Sequence, residues 1–289
     1  MQFCHNCLTY NYRILSIIYY TTRLVIVLFT LTFLVSCERL RYYLKFSCYT
    51  ASIFISTSLH LPFMLLRIRD WRNALLTAWC IRQCCKFLGI TYQVYGEENI
   101  VKDSGSVILV NHQSALDMTV MGVLWSLIGK CTAIAKKEIL YVGTLGVASW
   151  LWGTIFIDRK KSEEAQKILN ATAKSIKESK AHILIFPEGH RHSNRTLLPF
   201  KKGAFHLAIR SQVPIQPVVV SKYYFLNDKL KKFDSGVSYI TILPPIRTNG
   251  LTEEDLPKLL DDTYNVMNKA FLDTSEEALN EHMNSMKGE

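Results

Sequence analysis

The sequence predicts an α/β fold in which a central, mostly buried sheet is flanked by helices and preceded by an N-terminal hydrophobic segment. Short β-branched runs recur after about residue 90, and helical stretches separate several of them; this alternation is typical of such a sheet. Hydrophobic residues make up 49% of the chain and are concentrated before about residue 90. We therefore divide the chain into a membrane segment (1–68), an α/β domain (69–272) and a polar, frayed C-terminal tail (273–289).

Two apolar stretches open the chain, at residues 14–35 and 46–66. Each is about 20 residues long, which suffices for a helix to cross the hydrocarbon core of a bilayer. Arg23 interrupts the first, and His60 and Pro62 fall in the second. A transmembrane or re-entrant pair of helices is the favoured interpretation, with a cleaved signal peptide or burial in a soluble core as alternatives. Basic residues flank both stretches, so their distribution gives no orientation.

The formal net charge of +10 suits nucleic acid, anionic lipid or a phosphorylated substrate. No basic block with interleaved aromatic residues and no nucleic-acid motif is present, so lipid or phosphate is favoured. All eight cysteines lie at or before Cys131, which indicates reduced thiols rather than a disulfide framework. Cys4 and Cys7, with His5 between them, have half the spacing of a zinc site but no second pair follows. We therefore expect no metal.

The predicted elements alternate along the α/β domain. The strands are predicted at Tyr92–Tyr95, Val107–Val110, Thr132–Ala135, Thr154–Ile157, Ile183–Phe186, Ile215–Val220 and Tyr239–Ile242. The helices are predicted at Trp71–Leu88, Met118–Leu127, Ser162–Ser179, Gly203–Ser211 and Glu253–Leu272. Thr252 is a suitable N-cap for the last helix. The prolines at 214 and 217 are typical of an edge strand or a bulge, so this region is interpreted as a wall rather than as a reactive site.

The first motif that suggests chemistry is NHQSALD, directly after the strand SVILV. Sites in α/β sheets gather beyond the carboxyl ends of strands, where His112 falls. A carboxylate can hold one imidazole nitrogen protonated while the other accepts a proton. Residues five apart on a helix differ by about 140° in direction, so His112 and Asp117 can meet only if the histidine precedes the helix. The alternative is that Ser114 and Asp117 merely form a capping box.

The second motif, GTIFIDR, ends a predicted strand with Arg159. A guanidinium at this edge of the sheet can grip a phosphate through two parallel hydrogen bonds. The alternative is that Arg159 begins a solvated basic run, Arg-Lys-Lys.

The third motif, FPEGHR, follows the strand HILIF. Glycine permits a tight turn with exposed backbone N–H groups, so Glu188, Gly189 and Arg191 are presented from a loop. The alternative is an ordinary turn with a surface ion pair. Downstream, Lys202 lies at a predicted helix N-terminus, where a phosphate can bind.

Taken in order, NHQSALD, GTIFIDR, FPEGHR and VPIQPVVV resemble the four signature blocks of the glycerolipid acyltransferases. The chain most resembles the 1-acyl-sn-glycerol-3-phosphate acyltransferases, over residues 65–272, and the segments IAKKEILYVG and LPFKKGAFHLA are similar too. The α/β domain is then the acyltransferase domain. One departure is His190, which stands where the family has threonine.

The resemblance implies transfer of an acyl group from acyl-CoA to the sn-2 hydroxyl of lysophosphatidate, giving phosphatidate and CoA. His112 would be the general base and Asp117 its orienting partner. The glycerol phosphate would be bound by Arg159, Glu188, Gly189, Arg191 and Lys202. No metal, cofactor, nucleic acid or obligate protein partner is implied, and the protein would be integral to the endoplasmic reticulum membrane. A different acceptor, such as glycerol 3-phosphate or another lysophospholipid, and a non-catalytic membrane scaffold remain the alternatives.

Overall fold

The computed structural model describes residues 16–29, 37–158 and 162–287. They fall into two units, and the division differs from the predicted boundaries. One unit contains the described residues up to Phe46 together with Leu226–Asp234, and the other contains Ser47–Phe225 and the residues from Ser235 onward. The first unit takes in helix α1 (residues 16–29), the start of helix α2 (Glu38–Met64) and a short antiparallel hairpin. Within it, Arg41 forms an ion pair of 2.9 Å with Asp234.

The second unit is built on a seven-stranded sheet of order β1-β9-β6-β2-β5-β3-β4. All neighbours are parallel except β6 and β9. The strands are β1 (Ile90–Tyr95), β2 (Ser106–Val110), β3 (Cys131–Lys136), β4 (Ile155–Ile157), β5 (His182–Ile185), β6 (Ile215–Val220) and β9 (Gly236–Ile242), while β7 (Leu226–Asn227) and β8 (Lys232–Phe233) form the hairpin of the first unit. Every strand that the sequence predicts is present, so the mostly buried α/β sheet is confirmed.

Strands β2 and β6 form the middle of this sheet and are buried along their whole length. A continuous apolar run such as SVILV is what a strand covered on both faces requires. The edge position inferred for β6 from its prolines is therefore wrong. Pairing with β9 begins at Val218, so the N–H that Pro217 lacks falls outside that ladder.

Helices cover the sheet and connect its strands. They are α3 (Asn73–Phe87), α4 (Asp117–Ile128), α5 (Gly143–Leu151), α6 (Ser162–Ser179), α7 (Gly203–Ser211) and α8 (Leu256–Lys287). Helices α6 and α7 have the predicted bounds, whereas α5 was not predicted. Thr252 forms a capping box with Asp255 at a 3-10 turn that leads into α8.

The predicted frayed tail is wrong as far as Lys287, because α8 continues without a break. Phe271, Ser275 and Ala278 are all buried and lie four and three residues apart. That spacing continues one helical face, and Met267 extends it backwards. The polar composition after residue 272 belongs to the exposed side of this helix.

Helix α2 contains most of the second apolar stretch, and within the second unit one of its faces is buried while Ile55, Leu59 and Phe63 are exposed. Tyr49 and Thr57 are buried there, and their hydroxyls contact those of Thr119 and Thr144. Among residues 16–29, 37–158 and 162–287, no helix combines the length and the hydropathy that crossing a bilayer requires. These helices therefore do not support the predicted membrane-spanning pair. Residues 14, 15 and 30–35 of the first apolar stretch lie outside the described residues.

Candidate active site

A cavity of about 470 Å³ lies beyond the carboxyl ends of β2, β3 and β5. Helices α3 and α4 supply one part of its apolar wall, and at Gly122 of α4 a Cβ would come within 2.9 Å of the Ala78 side chain on α3. Polar side chains gather at the strand ends, where the cavity is lined by His112, Asp117, Lys136, His190 and Arg191. The cavity therefore combines an apolar lining with a cluster of basic and acid–base groups.

Asn111 controls how the chain leaves strand β2 for this cavity. Its side-chain oxygen accepts a hydrogen bond from the backbone N–H of Val220 at 2.7 Å, and its amide donates to the carbonyl of Val220 at 3.0 Å. The side chain thus pairs with β6 as a backbone peptide would. His112, the next residue, leaves the sheet with its ring stacked on Phe186 at a centroid distance of 4.0 Å.

His112 and Asp117 are in direct contact, as the sequence predicts. Nδ1 of His112 lies 2.7 Å from Oδ2 of Asp117, which is the first residue of α4. Oδ2 also accepts the backbone N–H groups of Gln113 at 2.7 Å and Ser114 at 3.0 Å. Asp117 thus accepts the Ser114 N–H, as in one half of a capping box, but helix α4 has no side-chain cap, so the capping box is not complete.

The carboxylate determines which tautomer of His112 fits. An ionised carboxylate only accepts hydrogen bonds, so Nδ1 of the imidazole must carry the proton. Nε2 is then left with a lone pair in a side chain that lines the cavity. The pair can remove a proton from a bound hydroxyl group.

Tyr223 is a member of this site that the sequence did not indicate. Its hydroxyl donates to Oδ1 of Asp117 at 2.8 Å across 106 residues of chain. It comes three residues after β6, just beyond the fourth block. The sequence carries no signal for it, because only the order of strands shows that β6 lies beside β2.

Glu188, which the sequence predicts to bind the substrate, is not among the residues that line the cavity. Its carboxylate is buried, with Oε1 accepting the backbone N–H of His112 at 2.7 Å and Oε2 that of Leu198 at 2.7 Å. The ring of His192 also contacts Oε2, and the His192 backbone N–H donates to the carbonyl of His112 at 3.1 Å. Because β2 and β5 are neighbours, the loops that follow them meet, and Glu188 fixes the backbone of His112.

Of the other residues predicted to bind the glycerol phosphate, some line the cavity and others do not. Gly189 and Arg191 line the cavity, with Gly189 in a left-handed turn at φ +83° that favours glycine. Lys202 precedes α7, as predicted, but it is exposed and does not line the cavity. Arg159 lies outside the described residues. Lys136, at the end of β3, lines the cavity and was missed because its segment reads as an ordinary amphipathic strand end.

Comparison with known proteins gives one consistent result. Residues 91–221 match the Acyltransferase family. The chain is 36% identical to human 1-acyl-sn-glycerol-3-phosphate acyltransferase alpha over 236 residues, covering 81% of this chain and 83% of that protein. It is 37% identical to the human beta protein over 237 residues, covering 81% and 84%. The Saccharomyces cerevisiae 1-acyl-sn-glycerol-3-phosphate acyltransferase is 42% identical over 185 residues, covering 63% and 60%.

The fold also has a solved counterpart. The crystal structure of the 1-acyl-sn-glycerophosphate acyltransferase PlsC from Thermotoga maritima superposes with a TM-score of 0.56 at 21% identity, covering 81% of this chain and 95% of that one. At this identity the likeness establishes the fold alone.

Proposed function

This chain belongs to the 1-acyl-sn-glycerol-3-phosphate acyltransferase family, and we propose that it acylates the sn-2 hydroxyl of lysophosphatidate from acyl-CoA, producing phosphatidate and CoA. The observation that carries this proposal is the contact of 2.7 Å between His112 Nδ1 and Asp117 Oδ2 at the edge of an apolar cavity. It supplies a base where a lipid hydroxyl can be held.

The reaction follows from this geometry. Nε2 of His112 takes the proton of the acceptor hydroxyl while its oxygen attacks the thioester carbonyl. The new C–O bond forms, the C–S bond breaks, and the proton passes from Nε2 to the departing CoA sulfur. Asp117 stabilises the transient imidazolium through Nδ1. A thioester is already activated, so positioning the hydroxyl against it suffices without a metal or a cofactor.

The charges at the cavity suit a phosphomonoester. We assign the phosphate to Arg191 and to Lys136, which line the same cavity, and to Arg159. Gly189 allows the loop backbone close approach. Glu188 and Lys202 are not assigned to the substrate, because neither lines the cavity. The acyl chain would occupy the apolar wall formed by α3 and α4.

We further propose that the enzyme works bound to the endoplasmic reticulum membrane. The two apolar stretches of the sequence support this, and so do large apolar side chains on the second unit such as Leu66, 81% exposed, and Phe87, 84% exposed. Exposed apolar side chains of this size can insert into a bilayer interface.

An acceptor panel tests the substrate. Purified full-length protein is offered labelled acyl-CoA with lysophosphatidate, glycerol 3-phosphate or a lysophospholipid that has a capped phosphate. We expect preference for lysophosphatidate, because only it combines an acyl chain with a phosphomonoester. Equal rates with all three acceptors would refute the assignment.

The catalytic residue is tested in the same assay. We expect His112→Ala to lower kcat by about a thousandfold or more, since the reaction loses its base. His206→Ala is the control, because His206 is paired with Glu253 away from the cavity. Turnover by His112→Ala equal to that of the control would refute His112 as the base, whereas no turnover by the wild type would favour the non-catalytic scaffold.

A further inference from the structure

The two oxygens of the Asp117 carboxylate have different partners. Oδ2 serves His112 and two backbone N–H groups, as described above. Oδ1 faces the other way along the carboxylate, and within the described residues Tyr223 is its one hydrogen-bond donor, at 2.8 Å. Asp117 is 1% exposed and Tyr223 is 4% exposed, so water does not compete for this contact.

Tyr223 is suited to act as a permanent donor. Burial raises the pKa of its phenol well above the ordinary value, and the negative charge of Asp117 raises it further. The phenol therefore stays protonated throughout the range in which enzymes work, and a charged acceptor makes the bond stronger than one between neutral groups.

The segment around Tyr223 is held firmly. Ser221 Oγ accepts the backbone N–H of Tyr239 at 2.9 Å, and the Lys222 N–H donates to Ser275 Oγ of α8 at 2.9 Å. The side-chain amide of Gln113 donates to the carbonyl of Ser221 at 3.0 Å. These bonds fix the backbone on either side of the phenol, and the phenol in turn holds the Asp117 carboxylate through one hydrogen bond.

We propose that Tyr223 is a positioning residue of the acyl transfer, fixing the carboxylate of Asp117 so that Oδ2 stays aligned with Nδ1 of His112. Tyr223 does not line the cavity, so it acts through Asp117 and not on the substrate. Without its hydroxyl, Oδ1 would be a buried charged acceptor lacking a donor, and the carboxylate would rotate toward other N–H groups. The proposal rests on the proposed function, because it concerns the same base.

The test compares Tyr223→Phe with Tyr224→Phe in the full-length protein. Tyr224 is the adjacent tyrosine, and its ring lies beside Lys222, with 5.9 Å between Nζ and the centroid, instead of at Asp117. We expect Tyr223→Phe to lower kcat about tenfold or more while KM for both substrates stays within about twofold. Tyr224→Phe should match wild type. Activity is normalised to the folded fraction measured by thermal unfolding.

The same substitution in an Asp117→Ala variant distinguishes an effect on the position of Asp117 from an effect on the stability of the whole protein. When Tyr223→Phe is added to Asp117→Ala, the residual kcat should change by less than about twofold, because the partner is already gone. Equal kcat for Tyr223→Phe and Tyr224→Phe overturns the proposal. So does a rise in KM without a fall in kcat, or the same loss in both backgrounds.

All variants are assayed with the acceptor panel, which separates the two proposals. If wild type prefers another acceptor, the proposed substrate is wrong, and Tyr223 is judged from the kcat ratio with that acceptor. If wild type acylates none of the acceptors, both proposals are overturned.

Discussion

Two buried carboxylates hold different parts of His112. Asp117 binds the ring nitrogen, and Glu188 binds the backbone N–H of the same residue. Both carboxylates are occupied by donors from the protein, so their effect on a substrate passes through the histidine. The pattern His-x4-Asp could be recognised in the sequence, whereas the roles of Glu188 and Tyr223 could not. Their partners are 76 and 106 residues away, a pairing that only the order of strands in the sheet determines.

Glu188→Gln should separate positioning from substrate binding. The amide nitrogen replaces one carboxylate oxygen, so a backbone N–H that the carboxylate accepted now faces another donor. We expect kcat to fall about tenfold or more while KM for lysophosphatidate stays within about twofold. Arg191→Ala is the contrasting variant and should mainly raise that KM, since Arg191 lines the cavity. Steady-state kinetics over lysophosphatidate concentration measure both, and a large KM effect at Glu188 would restore the substrate-binding interpretation.

At the scale of elements, the strands followed from the sequence more reliably than the final helix did. A continuous run of β-branched residues identifies a buried strand even when its neighbours are unknown. The part of α8 beyond Leu272 was not predicted, because only the small residues Ser275 and Ala278 mark its buried face there. Ser275 is 5% exposed, although a serine in a polar stretch gives no hint of burial. Its hydroxyl instead accepts the N–H of Lys222, beside Tyr223.

Ending the chain at Leu272 should therefore destabilise it. The truncation removes Ser275, the buried Ala278 and Glu281, which accepts a hydrogen bond from the hydroxyl of Tyr239. We expect the melting temperature to fall by about 5 °C or more, as the loss of several buried contacts implies. A chain ending at Met286 keeps all three residues and serves as the control. Equal melting temperatures in differential scanning calorimetry would support a frayed tail.

For the whole molecule, His182 links stability to pH. It is buried at the start of β5, with Nδ1 2.8 Å from Ser106 Oγ. Burial, assisted by the charge of Lys130, lowers its pKa from 6.5 to about 4. Below pH 6.5 the unfolded chain takes up a proton that the folded chain does not. Stability from this residue is therefore complete above pH 6.5 and is lost as pH falls toward 4.

His182→Asn should remove that part of the pH dependence. We expect the difference in unfolding free energy between wild type and variant to change by about 2 to 3 kcal/mol between pH 6.5 and 4, since each pKa unit corresponds to about 1.4 kcal/mol. The difference isolates His182 because other titrating groups contribute equally to both proteins. Denaturant unfolding in detergent at several pH values measures it, and parallel curves would contradict the assignment.

Membrane binding is also a property of the whole molecule. We expect the double variant Leu66→Ser and Phe87→Ser to reduce partitioning onto anionic vesicles about tenfold or more, since both side chains are exposed and apolar. Val266→Ser is the control, because Val266 is exposed on α8. Sedimentation with vesicles gives the partition constants. An equal effect of Val266→Ser would show that Leu66 and Phe87 make no specific contact with the bilayer.

The side chain of Asn111 has a consequence for which mutations this chain can tolerate. It stands in for a peptide group by offering one acceptor and one donor to Val220. Aspartate has nearly the same shape but would turn an oxygen toward the carbonyl of Val220, and leucine would offer neither group. Asparagine is thus the one residue of its size that can keep both hydrogen bonds to β6 at the point where the chain leaves β2. A single-nucleotide change to an aspartate codon, which counts as conservative by shape, should disable the enzyme as thoroughly as losing the neighbouring histidine.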